Sequence, residues 1–230
     1  MKTWRRKKVV LFDIDGTLLD THGHGREAFI RGLAKLTGER DELEYIAFAG
    51  NTDRNVLDQV MARRGLKFDE SEIEQVFRHV AEELRGLLAK HPAREINGAR
   101  RLLSALAESG AQLGLVTGNI RDCAFLKLGS VGLADFFSFG GFGDHHADGA
   151  EIARAALGEM KQMGVVAELD EVCLVGDTPY DVQAGVALGI PVLGVATGRH
   201  DVGILREAGA ALAVADYGDV PGLLGWLGHG

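Results

Sequence analysis

The chain has 230 residues, of which 46% are hydrophobic and 25% are charged. This length and composition can bury a full core, which excludes a disordered chain and allows either one large domain or one domain that carries an inserted module. The formal net charge of −8 disfavours a general nucleic-acid surface, and we interpret the short basic segment at residues 2–8 as a solvated lead-in to the first strand.

The composition also limits which partners the protein can bind and which cellular compartment it can occupy. No stretch approaches the roughly 18 apolar residues of a membrane span, and acids interrupt the first apolar run before a signal peptide could form. The chain has two cysteines, Cys123 and Cys173, which lie far apart in sequence. We therefore predict a reduced, cytoplasmic protein without a membrane or nucleic-acid partner. The oligomeric state is not indicated.

The first predicted strand, residues 9–12, ends at two carboxylates. Side chains alternate along a strand, so Asp13 and Asp15 lie on one face, and Gly16 predicts a turn directly after them. Such a pair suits a nucleophile and its acid/base partner. The alternative is a solvated turn of the type Asp-x-Asp-Gly.

Three helices are predicted next. Apolar residues recur at three- and four-residue spacing in residues 26–37, 52–64 and 72–90. Ser71 with Glu74 predicts a capping box at the start of the third helix. We therefore predict an all-helical cap domain at residues 21–92, inserted into a core domain formed by residues 1–20 and 93–230.

From residue 97 onward, predicted strands and helices alternate. The strands cover residues 112–117, 172–176, 190–195 and 211–214, and the helices cover residues 97–109, 121–128, 148–163, 179–188, 202–208 and 220–227. Apolar strands between helices predict an α/β fold with a Rossmann-like parallel sheet. Ligands of such sheets bind beyond the carboxyl ends of the strands, so the chemistry is expected just after Phe12, Val116 and Val175.

Polar residues follow the second and third of these strand ends. Thr117, Gly118 and Asn119 offer a hydroxyl, an amide and backbone N–H groups that can hold phosphate. Asp177 and Asp181 offer hard oxygen ligands for Mg²⁺. A plain turn and a capped helix are the alternatives, but three separate turns would then have to coincide at one edge of the sheet.

Three motifs carry a resemblance to a known family: Asp13-Ile14-Asp15-Gly16-Thr17, then Thr117, then Gly176-Asp177 through Asp181. With them the chain resembles the haloacid dehalogenase superfamily, in its phosphoglycolate phosphatase-like and β-phosphoglucomutase-like branches. The helical insertion resembles the C1 cap of that family.

The resemblance implies a Mg²⁺-dependent phosphatase that acts on a small phosphorylated metabolite. Asp13 would attack phosphorus and form an aspartyl-phosphate, and Asp15 would act as the acid/base. Mg²⁺ would be held by Asp13, Asp177, Asp181 and the backbone carbonyl of Asp15. Thr117, Gly118 and Asn119 would bind the phosphoryl group. A phosphomutase is the alternative enzyme.

The chain departs from the family at its third motif. The expected Lys or Arg falls around residues 144–150, where this chain has neither. Arg154 and Lys127 are the candidate replacements, and we prefer Arg154 because it lies on the helix from which the family's cation projects. We interpret His145 and His146 as an exposed polar loop. A phosphate-sensing protein with weakened turnover is therefore a further alternative.

The loop at residues 48–53 lies between two predicted helices of the cap. It resembles the family's specificity loop, so Asn51 and Thr52 are candidate substrate contacts. The equally favoured alternative is that one of them caps the next helix. The sequence does not indicate the identity of the substrate.

Overall fold

The structure is a computed structural model, and it describes residues 6–229. In chain order its strands and helices are β1 (Val9–Phe12), β2 (Leu19–Asp20), α1 (His24–Thr37), α2 (Asp53–Arg64), α3 (Glu70–Lys90), β3 (Arg94–Glu95), α4 (Ala99–Glu108), β4 (Gln112–Val116), α5 (Arg121–Ser130), β5 (Phe139–Gly141), α6 (Gly149–Gln162), β6 (Val172–Gly176), α7 (Pro179–Leu188), β7 (Val192–Val195), α8 (Val202–Glu207), β8 (Leu212–Val214) and α9 (Val220–Trp226).

Six strands form a parallel sheet in the order β5-β4-β1-β6-β7-β8. The chain runs outward from β1 to β4 and β5, then returns to β6 on the other side of β1, so the winding reverses at β1. Phe12 pairs with Leu115 on one neighbour and with Val175 on the other. The residues after these three strands therefore emerge at one edge, and the predicted α/β fold is confirmed.

Two features of the sheets were not predicted. β5 extends the main sheet beyond β4. β2 and β3 form a separate antiparallel pair, in which Leu19 lies opposite Glu95 and Asp20 lies opposite Arg94. This pair joins the two points at which the chain leaves the core and returns to it.

Residues 21–92, which we call the cap segment, contain the three predicted helices α1, α2 and α3. α1 packs closely on α3, because a Cβ at Gly32 would come 2.6 Å from the backbone nitrogen of Val80. The capping box of α3 was predicted at the wrong residues. Asp69 accepts the Glu72 N–H and Glu72 accepts the Asp69 N–H, both at 2.9 Å, so α3 begins two residues before the predicted start. The division into two domains stays a prediction.

The basic segment at the start of the chain is only partly a solvated lead-in. Lys2 and Arg5 lie outside the described residues. Lys7 is fully buried, and its ammonium donates to the backbone carbonyl of Asp170. Lys8 is exposed and pairs with Glu171 at 2.9 Å. The interpretation of the segment as solvated was therefore wrong at Lys7.

Within residues 6–229, no helix has the length and apolar character needed to cross a membrane. Cys123 and Cys173 are free and buried. Burial raises the pKa of the Cys173 thiol to about 12, so this thiol stays protonated at neutral pH.

Candidate active site

Three carboxylates meet where the winding of the sheet reverses. Asp13 follows β1, Asp177 follows β6, and Asp181 lies in the first turn of α7. One carboxylate oxygen from each residue lies within 4.8 Å of the other two. The structure thus brings together three of the predicted Mg²⁺ ligands, as the parallel register requires.

The crowding of these carboxylates is electrostatically unfavourable. Burial, and then the charges of Asp181 and Asp177, raise the pKa of Asp13 well above its usual range. Burial and the Asp181 charge raise the pKa of Asp177 to about 7, and burial raises the pKa of Asp181. A cation among these oxygens would stabilise the ionised forms, and hard oxygen donors are the ligands that Mg²⁺ prefers. The donor set therefore fits Mg²⁺.

The turn after β1 fixes the Asp177 carboxylate. The Thr17 hydroxyl donates to Asp177 Oδ1 at 3.0 Å, and the Tyr217 hydroxyl donates to the Thr17 carbonyl at 3.1 Å. Gly16 has a φ of 86°, and a Cβ there would come 2.5 Å from Asp177 Oδ2. Only glycine fits this position. The contributions of Thr17 and Tyr217 to the site were not predicted from the sequence.

Asp181 also has the capping role that the sequence left open. It forms a capping box with Thr178 at the start of α7, where Asp181 Oδ2 accepts the Thr178 N–H at 2.9 Å and its O–H at 2.7 Å. These hydrogen bonds at the start of α7 fix the orientation of the Asp181 carboxylate beside Asp13 and Asp177. Capping and metal binding are thus compatible roles for Asp181.

The second acid of the first motif belongs to a different cluster. Asp15 Oδ2 accepts hydrogen bonds from Asn119 Nδ2 at 2.7 Å and from Lys127 Nζ at 2.5 Å. Lys127 Nζ also donates to Asn119 Oδ1 at 2.5 Å. Burial alone would lower the pKa of Lys127, but the charge and hydrogen bond of Asp15 and the charge of Asp53 raise it overall. The structure therefore places a protonated amine beside Asp15 and the phosphate-binding turn.

Arg154 was the preferred replacement for the missing cation, and the position of Lys127 corrects this preference. The Arg154 side chain is exposed on α6, whereas Lys127 is 3% exposed and contacts two predicted site residues. Lys127 is buried because α5 packs with this side chain turned inward, against the first turn of α1. A Cβ at Gly25 would come 3.3 Å from Lys127 Nζ. Lys127 is thus the better candidate for the missing cation.

The loop that precedes α6 has the predicted polar character. His145 is exposed, and His146 Nδ1 lies 3.8 Å from the Glu151 carboxylate. Among the described residues, the one group of carboxylate, imidazole and thiol ligands close enough to hold a metal is the Asp13, Asp177 and Asp181 cluster.

The predicted phosphate-binding turn lies directly under the cap segment. The Thr117 hydroxyl accepts from Asn119 Nδ2 at 2.8 Å. A Cβ at Gly118 would come 2.2 Å from the carbonyl oxygen of Asn51. The close approach of the cap segment therefore requires glycine at this position. The Gly118 carbonyl accepts the backbone N–H of Asp53 at 2.8 Å.

Thr52 has the capping geometry that was the alternative for this loop, and Asn51 supports it. The Thr52 hydroxyl accepts the Asn55 N–H at 3.0 Å and caps α2. Asn51 Oδ1 accepts from the Thr52 N–H at 2.9 Å and from Asn55 Nδ2 at 2.7 Å. Their contact with a substrate stays a prediction.

The chain matches a family of known hydrolases over most of its length. The profile of the haloacid dehalogenase-like hydrolases matches residues 10–195, so the chain belongs to this family of hydrolases. The resemblance drawn from the motifs is confirmed.

Relatives match most of the chain, and a solved structure shares its fold. The chain is similar to the phosphoglycolate phosphatase of Rhodospirillum rubrum, with 29% identity over 231 residues, 96% of this chain and 91% of the relative. It is 27% identical over 203 residues to the phosphoglycolate phosphatase of Agrobacterium fabrum, 84% of this chain and 82% of the relative. The fold is similar to that of CbbY from Rhodobacter sphaeroides in complex with phosphate, with a TM-score of 0.73, 20% identity, and coverage of 93% and 96% of the two chains.

Proposed function

We propose that this protein is a Mg²⁺-dependent phosphatase that hydrolyses a small phosphomonoester through an aspartyl-phosphate on Asp13. The observation that carries the proposal is the meeting of Asp13, Asp177 and Asp181 at the point where the sheet winding reverses. The phosphoglycolate phosphatases among its relatives support a small phosphorylated metabolite as the substrate. The free, buried cysteines support a reducing, cytoplasmic location.

In this mechanism Asp13 is the nucleophile. Its carboxylate attacks phosphorus in line with the departing alkoxide, and water later hydrolyses the acyl phosphate. Asp13, Asp177 and Asp181 would hold Mg²⁺, which offsets the repulsion between carboxylate and phosphate. Thr117, Asn119 and the Lys127 ammonium would bind the phosphoryl oxygens and stabilise the charge that develops on them.

Asp15 is the acid/base. It would protonate the leaving alkoxide and later take a proton from the attacking water, a role worth on the order of 10² to 10⁴ in rate. The hydrogen bonds from Asn119 and Lys127 hold the Asp15 carboxylate beside the phosphate-binding turn.

Two alternatives share this site. A regulatory phosphate sensor is favoured only by the missing cation of the third motif, and the position of Lys127 removes that reason. A phosphomutase would use the same nucleophile, but it would return the phosphoryl group to a second substrate position rather than to water. The two enzymes therefore differ in whether they release inorganic phosphate.

The proposal is tested by phosphate release from p-nitrophenyl phosphate with and without Mg²⁺, followed by a panel of glycolate, sugar and nucleotide phosphates. We expect turnover with Mg²⁺ and its loss in excess EDTA, because burial and neighbouring charges raise the pKa of Asp13 and a cation among the carboxylates would stabilise its ionised form. Restoring Mg²⁺ should restore turnover. Binding of Mg²⁺ and phosphate without turnover would instead indicate the sensor.

The identity of the cation gives a second expected result. Lys127→Met keeps the buried stem and removes the charge, so kcat/KM should fall by about a hundredfold, as expected for a lost charge-assisted hydrogen bond at the phosphoryl group. Arg154→Met is the matched control and should retain wild-type kcat/KM. A loss in the Arg154 variant with full activity in the Lys127 variant would reverse this assignment.

A further inference from the structure

The helix that follows the phosphate-binding turn has no cap of its own. Ile120 occupies the N-cap position of α5, and its apolar side chain accepts no hydrogen bond. The first N–H groups of a helix need acceptors, which a Ser, Thr, Asp or Asn at this position would supply. The acceptors of α5 must therefore come from other elements.

Two carboxylates supply them from elsewhere in the chain. Asp53 Oδ2 accepts the Ile120 N–H at 2.8 Å, and Asp144 Oδ1 accepts the Arg121 N–H at 3.1 Å. Asp144 belongs to the core loop between β5 and α6, whereas Asp53 is the first residue of α2 in the cap segment. One of the two caps of α5 is thus present only when the cap segment is docked.

The docking is reinforced by the backbone around Asp53. The Asp53 N–H donates to the Gly118 carbonyl at 2.8 Å, and the Arg54 N–H donates to the Gly143 carbonyl at 3.0 Å. Gly143 in turn donates its N–H to the Asn119 carbonyl at 2.8 Å. The start of α2 therefore holds both sides of the phosphate-binding turn.

We propose that Asp53 is a positioning residue that couples docking of the cap segment to the geometry of the phosphate-binding turn. The proposal rests on the proposed function, because it assigns phosphate binding to this turn. α5 begins directly after the turn and carries Lys127 two helical turns later. The Asp53 carboxylate, which belongs to the cap segment, binds the first N–H of α5. It therefore fixes the position of the residues before the helix and the direction in which Lys127 projects.

The charges around Asp53 agree with this role. Burial raises the pKa of Asp53 to about 6, and the Lys127 ammonium partly offsets that rise. The negative charges of Asp15 and Asp144 raise the pKa of Asp53 further. Asp53 therefore contributes a negative charge near Lys127 as well as a hydrogen-bond acceptor. When the cap segment leaves, Ile120 loses its acceptor and Lys127 loses this neighbouring charge.

The test combines hydrogen exchange with kinetics in the full chain. Backbone hydrogen exchange of the segment at residues 117–124 is measured in the wild type, Asp53→Ala, Asp53→Asn and the control Asp69→Asn. Asp69 is a suitable control because it is also a helix-capping acid of the cap segment, but it caps α3 within that segment. Thermal unfolding is recorded for every variant, and inorganic phosphate with Mg²⁺ serves as the ligand.

We expect Asp53→Ala to raise exchange of this segment by about tenfold, the effect of losing one helix cap, and to weaken phosphate inhibition and kcat/KM by a similar factor. Asp53→Asn keeps an acceptor and should recover part of both losses. Wild-type exchange at residues 117–124 in Asp53→Ala, or an increase spread evenly over the whole chain, would overturn the proposal. Absence of wild-type turnover would overturn the proposed function instead, since the exchange result does not depend on catalysis.

Discussion

Asp13→Asn is expected to abolish phosphatase turnover while the fold is retained. An amide cannot attack phosphorus to form an acyl phosphate. The substitution also removes one charge from a crowded group of carboxylates. Burial and the neighbouring charges raise the pKa of Asp13, so its ionised form costs stability in the metal-free protein, and the variant should unfold at the same or a higher temperature.

Steady-state phosphate release and thermal unfolding without metal measure this result. Asp201→Asn is the matched control, because Asp201 is an exposed acid that caps α8, and an Asn retains the capping acceptor. The control should match the wild type in both measurements. Turnover of Asp13→Asn above a few per cent of wild type, once contaminating enzyme is excluded, would contradict the assignment of the nucleophile.

Asp15→Asn is expected to slow catalysis by roughly 10² to 10⁴ while phosphate and Mg²⁺ still bind, since the side chain is assigned to proton transfer. An Asn can still accept the hydrogen bond from Lys127. The loss should depend on the leaving group. p-Nitrophenolate departs with little acid help, so formation of the aspartyl-phosphate from p-nitrophenyl phosphate should suffer much less than formation from an alkyl phosphate.

Rapid-mixing measurements of the first step with the two substrates test this difference. Asp58→Asn serves as a control, because Asp58 is a partly exposed acid on α2 that pairs with Arg54 away from the reacting group. Equal losses for the aryl and the alkyl phosphate would show that Asp15 is not the general acid of that step.

The fold was predictable because its strands are apolar runs that alternate with helices. β1, β4 and β6 have this character and were found close to their observed bounds. β5 was missed because it is three residues long and two of them are glycines. β2 and β3 have two residues each, too few for a pattern of alternation.

The carboxylate cluster was predictable for a similar reason. Parallel strands end at one edge, so acids directly after β1 and β6 must lie near each other, whatever the loops do. The cation was not predictable in the same way, because its position depends on how α5 packs. A signal was available, however: Lys127 lies among Cys123, Ala124 and Leu128 on the buried face of α5. A lysine at an apolar position of a helix indicates a buried partner.

The role of Asp53 depends on a contact between the cap segment and the core that no local pattern indicates. In sequence it follows Thr52, a helix-capping residue, so an acid in the first turn has an ordinary explanation in the helix dipole. The available signal lies 67 residues away, where Ile120 precedes a helix without an acceptor in its side chain. A helix start whose N-cap side chain accepts no hydrogen bond indicates that an acceptor comes from elsewhere in the chain.

The aspartyl-phosphate on Asp13 is tested by Asp15→Asn with p-nitrophenyl phosphate as the substrate. This variant should form the intermediate readily but hydrolyse it slowly, because water lacks its base. We predict a burst of one p-nitrophenolate per active site, and acid quenching at the end of the burst should leave one phosphoryl group on the Asp13 peptide by mass spectrometry. Release without a burst and without a phosphoryl group on the protein, or a phosphoryl group on another residue, would show that Asp13 is not the nucleophile.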